Sequence, residues 1–205
     1  MGPLWPIGGN MKKITTRQIV VTGLFLALEI ILQVISNYLH LGPVNLNLSL
    51  IAIVLAAVMC GPFSGAVVGF FNGLMAIFSP STLAIFMPIS PLGTVLACLL
   101  KTTLAGLIAG FVFNAFENKN KFIGLILASI LVPVINTGVF SIFCLLFFQP
   151  FLQSGVDAAP ADYPNIGAFL IFGVIGVNFL IEIATTVVLS TSVGSALFAQ
   201  KHKVL

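Results

Sequence analysis

The sequence contains one apolar run that decides its fold, residues 122–148, which reads FIGLILASILVPVINTGVFSIFCLLFF. The run carries no charged side chain, and a helix of this length, at ~1.5 Å per residue, crosses the ~30 Å hydrocarbon core of a bilayer. The rest of the chain has the same character, because 59% of its 205 residues are hydrophobic and 6% are charged. A soluble domain carries about 25% charged residues. The composition therefore predicts an all-α integral membrane protein.

Five further apolar runs, separated by polar or Gly-Pro segments, predict six transmembrane helices in all. The predicted helices span residues 19–36, 48–60, 63–78, 92–116, 122–148 and 166–199. The second and third are short for a span and meet at Gly61-Pro62, so they are predicted to form a tight hairpin. The sixth is longer than a span needs and is expected to tilt or to emerge from the membrane. Residues 79–91, with three prolines, are predicted to form a loop or re-entrant segment, and residues 149–165 a polar connection.

Basic residues predict how the chain is oriented. They cluster before the first predicted helix, between the fourth and fifth, and after the sixth. The members of the clusters are Lys12, Lys13, Arg17, Lys119, Lys121, Lys201 and Lys203. Lys and Arg accumulate in cytoplasmic loops, and six spans place all three clusters on one side. Both chain termini are therefore predicted to be cytoplasmic.

The domain organisation is predicted to be simple. Residues 1–10 resemble the remnant of an expression tag, because Met11-Lys12-Lys13 has the form of a second, natural start. Residues 11–205 are then one transmembrane domain. The formal net charge of +3 is too small and too dispersed to indicate nucleic-acid binding. Neither a disulfide framework nor a metal site is expected from three scattered cysteines that are not paired with histidine: Cys60, Cys98 and Cys144.

Three ionisable residues fall inside the predicted spans, namely Glu29, Lys101 and Glu182. A charge at the centre of a span costs ~2.5–3.5 kcal/mol on an insertion scale, and it normally faces the protein interior or a water-filled cavity. Two interpretations are open. In the first, Lys101 holds an anionic group of a substrate, with Glu29 or Glu182 beside it. In the second, these residues form a structural salt bridge between helices.

Uncharged polar residues accompany these charges on the third, fifth and sixth helices. The candidates are Asn72, Asn136, Thr137 and Asn178. Pro133 precedes two of them and frees a backbone carbonyl one turn earlier, while Asn178 lies four residues before Glu182 on the same helix face. Such a set suits a small polar metabolite, and the alternative is hydrogen bonding between helices. The apolar loops at residues 39–47 and 79–91 are expected either to close such a cavity or to lie in the membrane interface.

Motifs of enzymes and nucleotide-binding proteins are absent from the sequence. It contains no Gly-x-x-x-x-Gly-Lys-Ser/Thr phosphate loop, no His-Glu-x-x-His and no Gly-x-Ser-x-Gly elbow. Energised transport would therefore draw on an ion gradient or on another protein.

Several segments together resemble a known family. They are Asn45-Leu-Asn-Leu-Ser-Leu with Gly61-Pro62, Pro91-Leu-Gly-Thr followed by Leu99-Leu-Lys101 and Leu104-Ala-Gly-Leu, Pro133-Val-Ile-Asn-Thr-Gly-Val-Phe140, and Asn178-Phe-Leu-Ile-Glu182. In this order and spacing the chain resembles the substrate-binding S components of energy-coupling factor (ECF) transporters, which import vitamins in prokaryotes.

The resemblance implies a six-helix subunit of the plasma membrane that binds a vitamin tightly from outside, under its first and third loops. It implies no enzymatic activity and no cofactor in this chain, with ATP on partner subunits. The implied partners are a membrane coupling (T) subunit and two cytoplasmic ATPases. In the family, two alanines four apart on the first helix contact the coupling subunit. Here the nearest match is Gly23 and Ala27, and the family's Lys-Gly on the fourth helix reads Lys101-Thr102.

The vitamin implied first is pantothenate, because the segments around Asn136 and Asn178 look most like members for that vitamin. Lys101 is suited to pair with its carboxylate. Other vitamins are the alternatives within the class: pyridoxine or hydroxymethylpyrimidine, riboflavin and folate. Two alternatives lie outside this class of transporter. One is an ion-coupled carrier, although the inverted repeats usual in such carriers are not evident in the sequence. The other is a membrane enzyme.

Overall fold

The computed structural model describes residues 15–38, 40–41, 44–45 and 47–201. The predicted tag remnant, residues 1–10, lies outside the described residues. Within the described ranges the α-helices are α1 Thr16–Ser36, α2 Leu50–Cys60, α3 Pro62–Ile77, α4 Pro91–Glu117, α5 Lys121–Phe147, α6 Gln149–Ala158, α7 Ile166–Ala168 and α8 Gly176–Lys201. Two π-helical segments, Thr82–Phe86 and Phe169–Ile175, precede α4 and α8. The predicted helical class is confirmed, with one small strand pair added.

The strand pair lies in the connection between α1 and α2. Strand β1, His40–Leu41, pairs antiparallel with β2, Val44–Asn45, and His40 stands opposite Asn45. Two residues per strand give only a local turn.

Four helices are long and apolar enough to cross a membrane: Thr16–Ser36, Pro91–Glu117, Lys121–Phe147 and the run Ile166–Ala199. The other two predicted spans, α2 and α3, have 11 and 16 residues. Large apolar side chains on these helices face outward, including Leu24 at 65% and Leu180 at 65% exposure. Such a surface suits lipid, in which outward apolar side chains carry no penalty.

Polar caps set where the long helices begin. Thr15 and Gln18 form a reciprocal capping box at the start of α1. Ser90 accepts a hydrogen bond from the Gly93 N–H at the start of α4, and Asn120 caps α5 in the same way. These caps explain why the helices begin one to three residues before the predicted starts.

Helix α2 forms the centre of the bundle. Every residue from Leu50 to Val58 is buried, and α1, α3, α4, α5 and α8 all pack against it. The predicted tight hairpin with α3 is confirmed, since Gly61 alone separates the two helices. Gly61 has φ 99°, a conformation that suits glycine, and Pro62 then occupies the first turn of α3.

Helices α3 and α4 approach each other through residues without bulky side chains. A Cβ added at Gly65 would lie 2.6 Å from the carbonyl oxygen of Gly106, and added Cβ atoms at Gly69 and Gly73 would meet the backbone of Thr102 and Cys98. Thr102 Oγ1 donates to the carbonyl oxygen of Gly69 at 2.6 Å. We call this contact the α3–α4 seam. It holds the backbone of α4 fixed on either side of Lys101.

Two connections have more structure than the sequence indicates. The polar segment after α5 begins with helix α6, in which Pro150 occupies the first turn and Leu152 is fully buried. The predicted sixth helix is also not uniform, because it contains the π-helical segment Phe169–Ile175. That segment ends at Gly176, with φ 26°. Proline at a helix start and glycine at a positive φ are both favourable choices.

Candidate functional site

A cavity opens between α1, α4, α5 and α8 and is bordered by both π-helical segments. It has about 930 Å³ of atom-free space when its open mouth is counted. The lining polar residues are Gln33, Ser36, Asn37, Asn47, Ser79, Ser81, Thr82, Thr94, Lys101, Asn136, Thr137, Asn178 and Glu182. The cavity therefore contains many polar groups although it lies in an apolar bundle.

Most of the residues predicted from the sequence meet in this cavity. Five predicted site residues contribute to its lining: Lys101, Asn136, Thr137, Asn178 and Glu182. The structure brings them from α4, α5 and α8, which are far apart in the sequence. The other two, Glu29 and Asn72, do not line the cavity but form a buried polar cluster behind Gln33. Their role in binding stays a prediction.

Lys101 supplies the cation of the cavity. Its side chain is half-buried, and Nζ lies 5.2 Å from the centroid of the Phe140 ring, in cation–π geometry. Within the described part of the chain, Lys101 has neither a hydrogen bond nor an ion pair with a carboxylate. The interhelical salt bridge left open above is therefore not formed by these residues. Lys101 thus offers a positive charge to whatever occupies the cavity.

Glu182 supplies a carboxyl group on the opposite helix. One carboxylate oxygen, Oε1, accepts a hydrogen bond from the backbone N–H of Asn47 at 3.0 Å. The side chain is only 6% exposed and lines the cavity. Its second oxygen is not among the buried atoms that lack a partner in the described chain.

Asn136 stands one turn beyond the buried Pro133 of α5, as predicted. Its Oδ1 is buried and has no hydrogen-bond partner among the described residues. Leaving such an atom unpaired costs ~1–3 kcal/mol, and functional sites are where such groups are found. The amide is suited to a ligand that supplies the missing contact.

An aromatic wall closes one side of the cavity. Phe86, from the first π-helical segment, packs edge-on against Phe140 and Phe148 with ring centroids 5.5 and 5.0 Å apart. Phe86 lies in the loop at residues 79–91, so this loop does border the cavity. The other predicted lid, residues 39–47, lies partly outside the described residues.

The buried cluster behind the cavity joins three helices. Asn72 Nδ2 donates to Glu29 Oε1 and to Gln33 Oε1, at 3.0 Å each, and also contacts the Ser49 hydroxyl. Ser49 Oγ donates to Gln33 Oε1 at 2.8 Å and lies within reach of Asn47. Since Asn47 contacts Glu182 through its backbone, the cluster extends to the cavity wall.

Gln33 is the main site residue that the sequence reasoning missed. A signal was present, because the buried residues of α1 are Glu29, Gln33 and Ser36, spaced by four and three. Polar residues at helical spacing on the buried face of an apolar helix indicate an inward-facing polar surface. The polar loop residues that line the cavity show no such helical spacing in the sequence.

The predicted docking pair lies on the other side of α1. Gly23 and Ala27 are both exposed, and no heavy atom would lie within 4 Å of a Cβ added at Gly23. The pair is thus accessible and does not touch the cavity.

Comparison with known proteins agrees with this architecture. The family model described as "ECF transporter, substrate-specific component" matches residues 17–193. A protein named pantothenate transporter PanT, from Leuconostoc mesenteroides subsp. mesenteroides, is 27% identical over 202 residues, which are 91% of this chain and 95% of that protein. No solved structure matches the chain significantly. Since the family match covers most of its length, the chain belongs to the substrate-specific (S) components of ECF transporters.

Proposed function

We propose that this S component is the high-affinity pantothenate-binding subunit of an ATP-driven ECF importer in a prokaryotic plasma membrane. The observation that carries the proposal is the cavity-facing Lys101, which makes no hydrogen bond and no direct ion pair within the described chain, although Glu182 lies within electrostatic range. An ammonium in a partly buried site attracts a carboxylate through a charge-assisted hydrogen bond. The name of the 27%-identical relative favours the same vitamin.

The chemistry of pantothenate matches the groups that line the cavity. The vitamin has a carboxylate at one end, an amide in the middle, and two hydroxyl groups with a dimethyl group at the other end. Lys101 suits the carboxylate, and Glu182 suits a hydroxyl donor. The wall around Phe86 suits the dimethyl group. Pyridoxine and hydroxymethylpyrimidine lack a carboxylate and would leave Lys101 unpaired.

Binding by the isolated protein tests the substrate. We expect one-to-one binding of pantothenate to the detergent-purified chain in calorimetry and native mass spectrometry, with no turnover. Pantothenol, which has an alcohol in place of the carboxylate, is the matched control. It should bind about a hundredfold more weakly, because losing a charge-assisted contact costs ~2–3 kcal/mol. Equal affinity for the two compounds would contradict the assignment, and tighter binding of another vitamin would replace it.

We further propose that the chain crosses the membrane six times with both termini in the cytoplasm. The proposal is supported by four long apolar helices and by the hairpin of α2 and α3. Lys119, Lys121 and Lys201 also lie at ends of the long helices that would then share one side. Asp157 and Asp162 lie between α5 and α8, on the opposite side.

The proposed partners are a membrane coupling subunit and two ATPases that supply the energy. The absence of a phosphate-binding loop from the sequence supports a separate source of ATP hydrolysis. The exposed small residues Gly23 and Ala27 suit close approach of a partner helix. We therefore propose this surface of α1 as the contact with the coupling subunit.

A bulky residue in this surface should separate binding from transport. We expect Ala27→Trp to bind pantothenate with unchanged affinity but to lose at least about tenfold in co-purification with the coupling subunit and in uptake, because close packing of helices requires small residues. Gly138→Trp is the control, since Gly138 of α5 is exposed with no neighbour within 4 Å of an added Cβ. Equal losses in both variants, or none in Ala27→Trp, would exclude this surface.

A further inference from the structure

The buried cluster behind the cavity has a fixed hydrogen-bond direction. Glu29 and Asn72 are fully buried, and neither lines the cavity. The Asn72 NH₂ group donates to Glu29 Oε1 at 3.0 Å, while Glu29 Oε2 and Asn72 Oδ1 are buried without a hydrogen-bond partner among the described residues. An accepting oxygen at Glu29 suits the NH₂ group of the amide and not its oxygen. The contact with Glu29 thus orients the Asn72 amide with its NH₂ group toward α1.

The orientation of the Asn72 amide also determines the orientation of the Gln33 amide. Because the Asn72 NH₂ group also donates to Gln33 at 3.0 Å, Gln33 must present its carbonyl oxygen to the cluster. The Ser49 hydroxyl donates to that same oxygen at 2.8 Å. The Asn72 NH₂ group opposes reversal of the Gln33 amide, since reversal would bring two NH₂ groups together, whereas the Ser49 hydroxyl can donate or accept.

The Gln33 amide nitrogen is consequently directed away from the cluster. It donates to no acceptor among the described residues, and it is not one of their fully buried atoms without a partner. Gln33 is 5% exposed and lines the cavity. The nitrogen therefore reaches the cavity space with its donor capacity unused.

We infer that Gln33 is a ligand-contact residue whose amide N–H donates to an oxygen acceptor of the bound vitamin, and that Glu29 and Asn72 are positioning residues that hold this amide in its donor orientation. The identity of the ligand rests on the proposed function, but the orientation of Gln33 does not. For pantothenate the acceptor class is a carbonyl or carboxylate oxygen. A reversed amide would set oxygen against oxygen and repel it.

A double-mutant cycle in the full-length protein tests this inference, with pantothenate as the probe. We expect Gln33→Ala to weaken binding about tenfold. Glu29→Gln, which can donate as well as accept and so no longer imposes a direction, should weaken binding about fivefold. In the Gln33→Ala background, Glu29→Gln should have no further effect, because the amide that it orients is gone. A purely structural Glu29 would weaken both backgrounds equally.

Two further variants sharpen the test. Gln33→Glu keeps the size and the contact with Asn72 but offers only acceptors, so it should bind pantothenate more weakly than Gln33→Ala. Ser129→Ala is the control, since that buried hydroxyl donates to the Leu125 carbonyl and lies outside the cavity lining; it should bind normally. Unchanged affinity in a folded Gln33→Ala protein, or additive losses in the cycle, would overturn the inference while leaving the proposed function intact. If the wild-type chain prefers another vitamin, the proposed substrate fails, and the same cycle is measured with the vitamin that binds.

Discussion

Lys101→Ala is expected to weaken pantothenate binding by about a hundredfold or more and to leave the protein folded. Removing one partner of a buried charge pair costs ~2–5 kcal/mol, because the other charge is left unpaired. The protein itself loses little, since within the described chain Lys101 makes one close contact, with the Phe140 ring, and only a longer-range electrostatic interaction with Glu182. An unpaired cation in a span is costly, so the thermal stability of the ligand-free protein should stay the same or rise.

The ligand comparison makes this prediction specific to charge. In wild-type protein pantothenate should bind far more tightly than pantothenol, and in Lys101→Ala the two affinities should become similar. Lys101→Arg should retain part of the preference. Lys119→Ala is the control, because Lys119 is exposed in the turn between α4 and α5. If folded Lys101→Ala binds pantothenate as the wild type does, Lys101 is not part of the site.

Gly69→Ala is expected to be among the most damaging single substitutions in the chain. The added Cβ would lie 2.7 Å from the carbonyl carbon of Thr102 and nearer still to its oxygen. Neither is a flexible side chain, so the helices must separate and the Thr102–Gly69 hydrogen bond must lengthen. Overpacking of this kind costs ~3 kcal/mol or more. For a chain of this size that corresponds to a fall of about 10 °C in Tm.

Thermal unfolding in detergent, followed by size-exclusion fluorescence, measures this effect. Gly138→Ala is the matched control, because its added Cβ has open space and alanine favours the helix over glycine by ~1 kcal/mol. Its Tm should be unchanged or higher. Similar Tm values for the two variants would mean that α3 and α4 are free to shift apart at the seam.

The helical elements were predictable because the bilayer imposes a strong constraint on composition. Long apolar runs and breaks such as Gly61-Pro62 give both the existence and the approximate ends of α1 to α5. Helix α6 was missed, because a short helix that packs against α5 and the π-helical segment Phe169–Ile175 leaves no long apolar run. The π-helical segments Thr82–Phe86 and Phe169–Ile175 were also missed. A one-residue change in hydrogen-bond register has no compositional signature.

The site was predictable to the extent that charge in a span indicates function. Lys101 and Glu182 were found because each is expensive in an apolar helix. Asn47 was not, because its contact with Glu182 spans 135 positions in the sequence and depends on the packed fold. The separate roles proposed for Glu29, Asn72 and Gln33 could be assigned only from the directions of the hydrogen bonds between them. Residue types alone do not give these directions.

The α3–α4 seam has a consequence for how such a subunit changes its cargo in evolution. It fixes the main chain on both sides of Lys101 through glycines and backbone carbonyls, so the point from which the lysine side chain extends does not depend on the side chains that line the cavity. Substitutions at Asn136, Thr137 or Phe86 can then change the shape of the cavity, while Lys101, proposed to bind an acidic group, is inherited unchanged. Under the proposed function, a lineage built on this scaffold can exchange one small carboxylic acid for another while keeping Lys101, whereas a cationic cargo would favour replacement of the lysine.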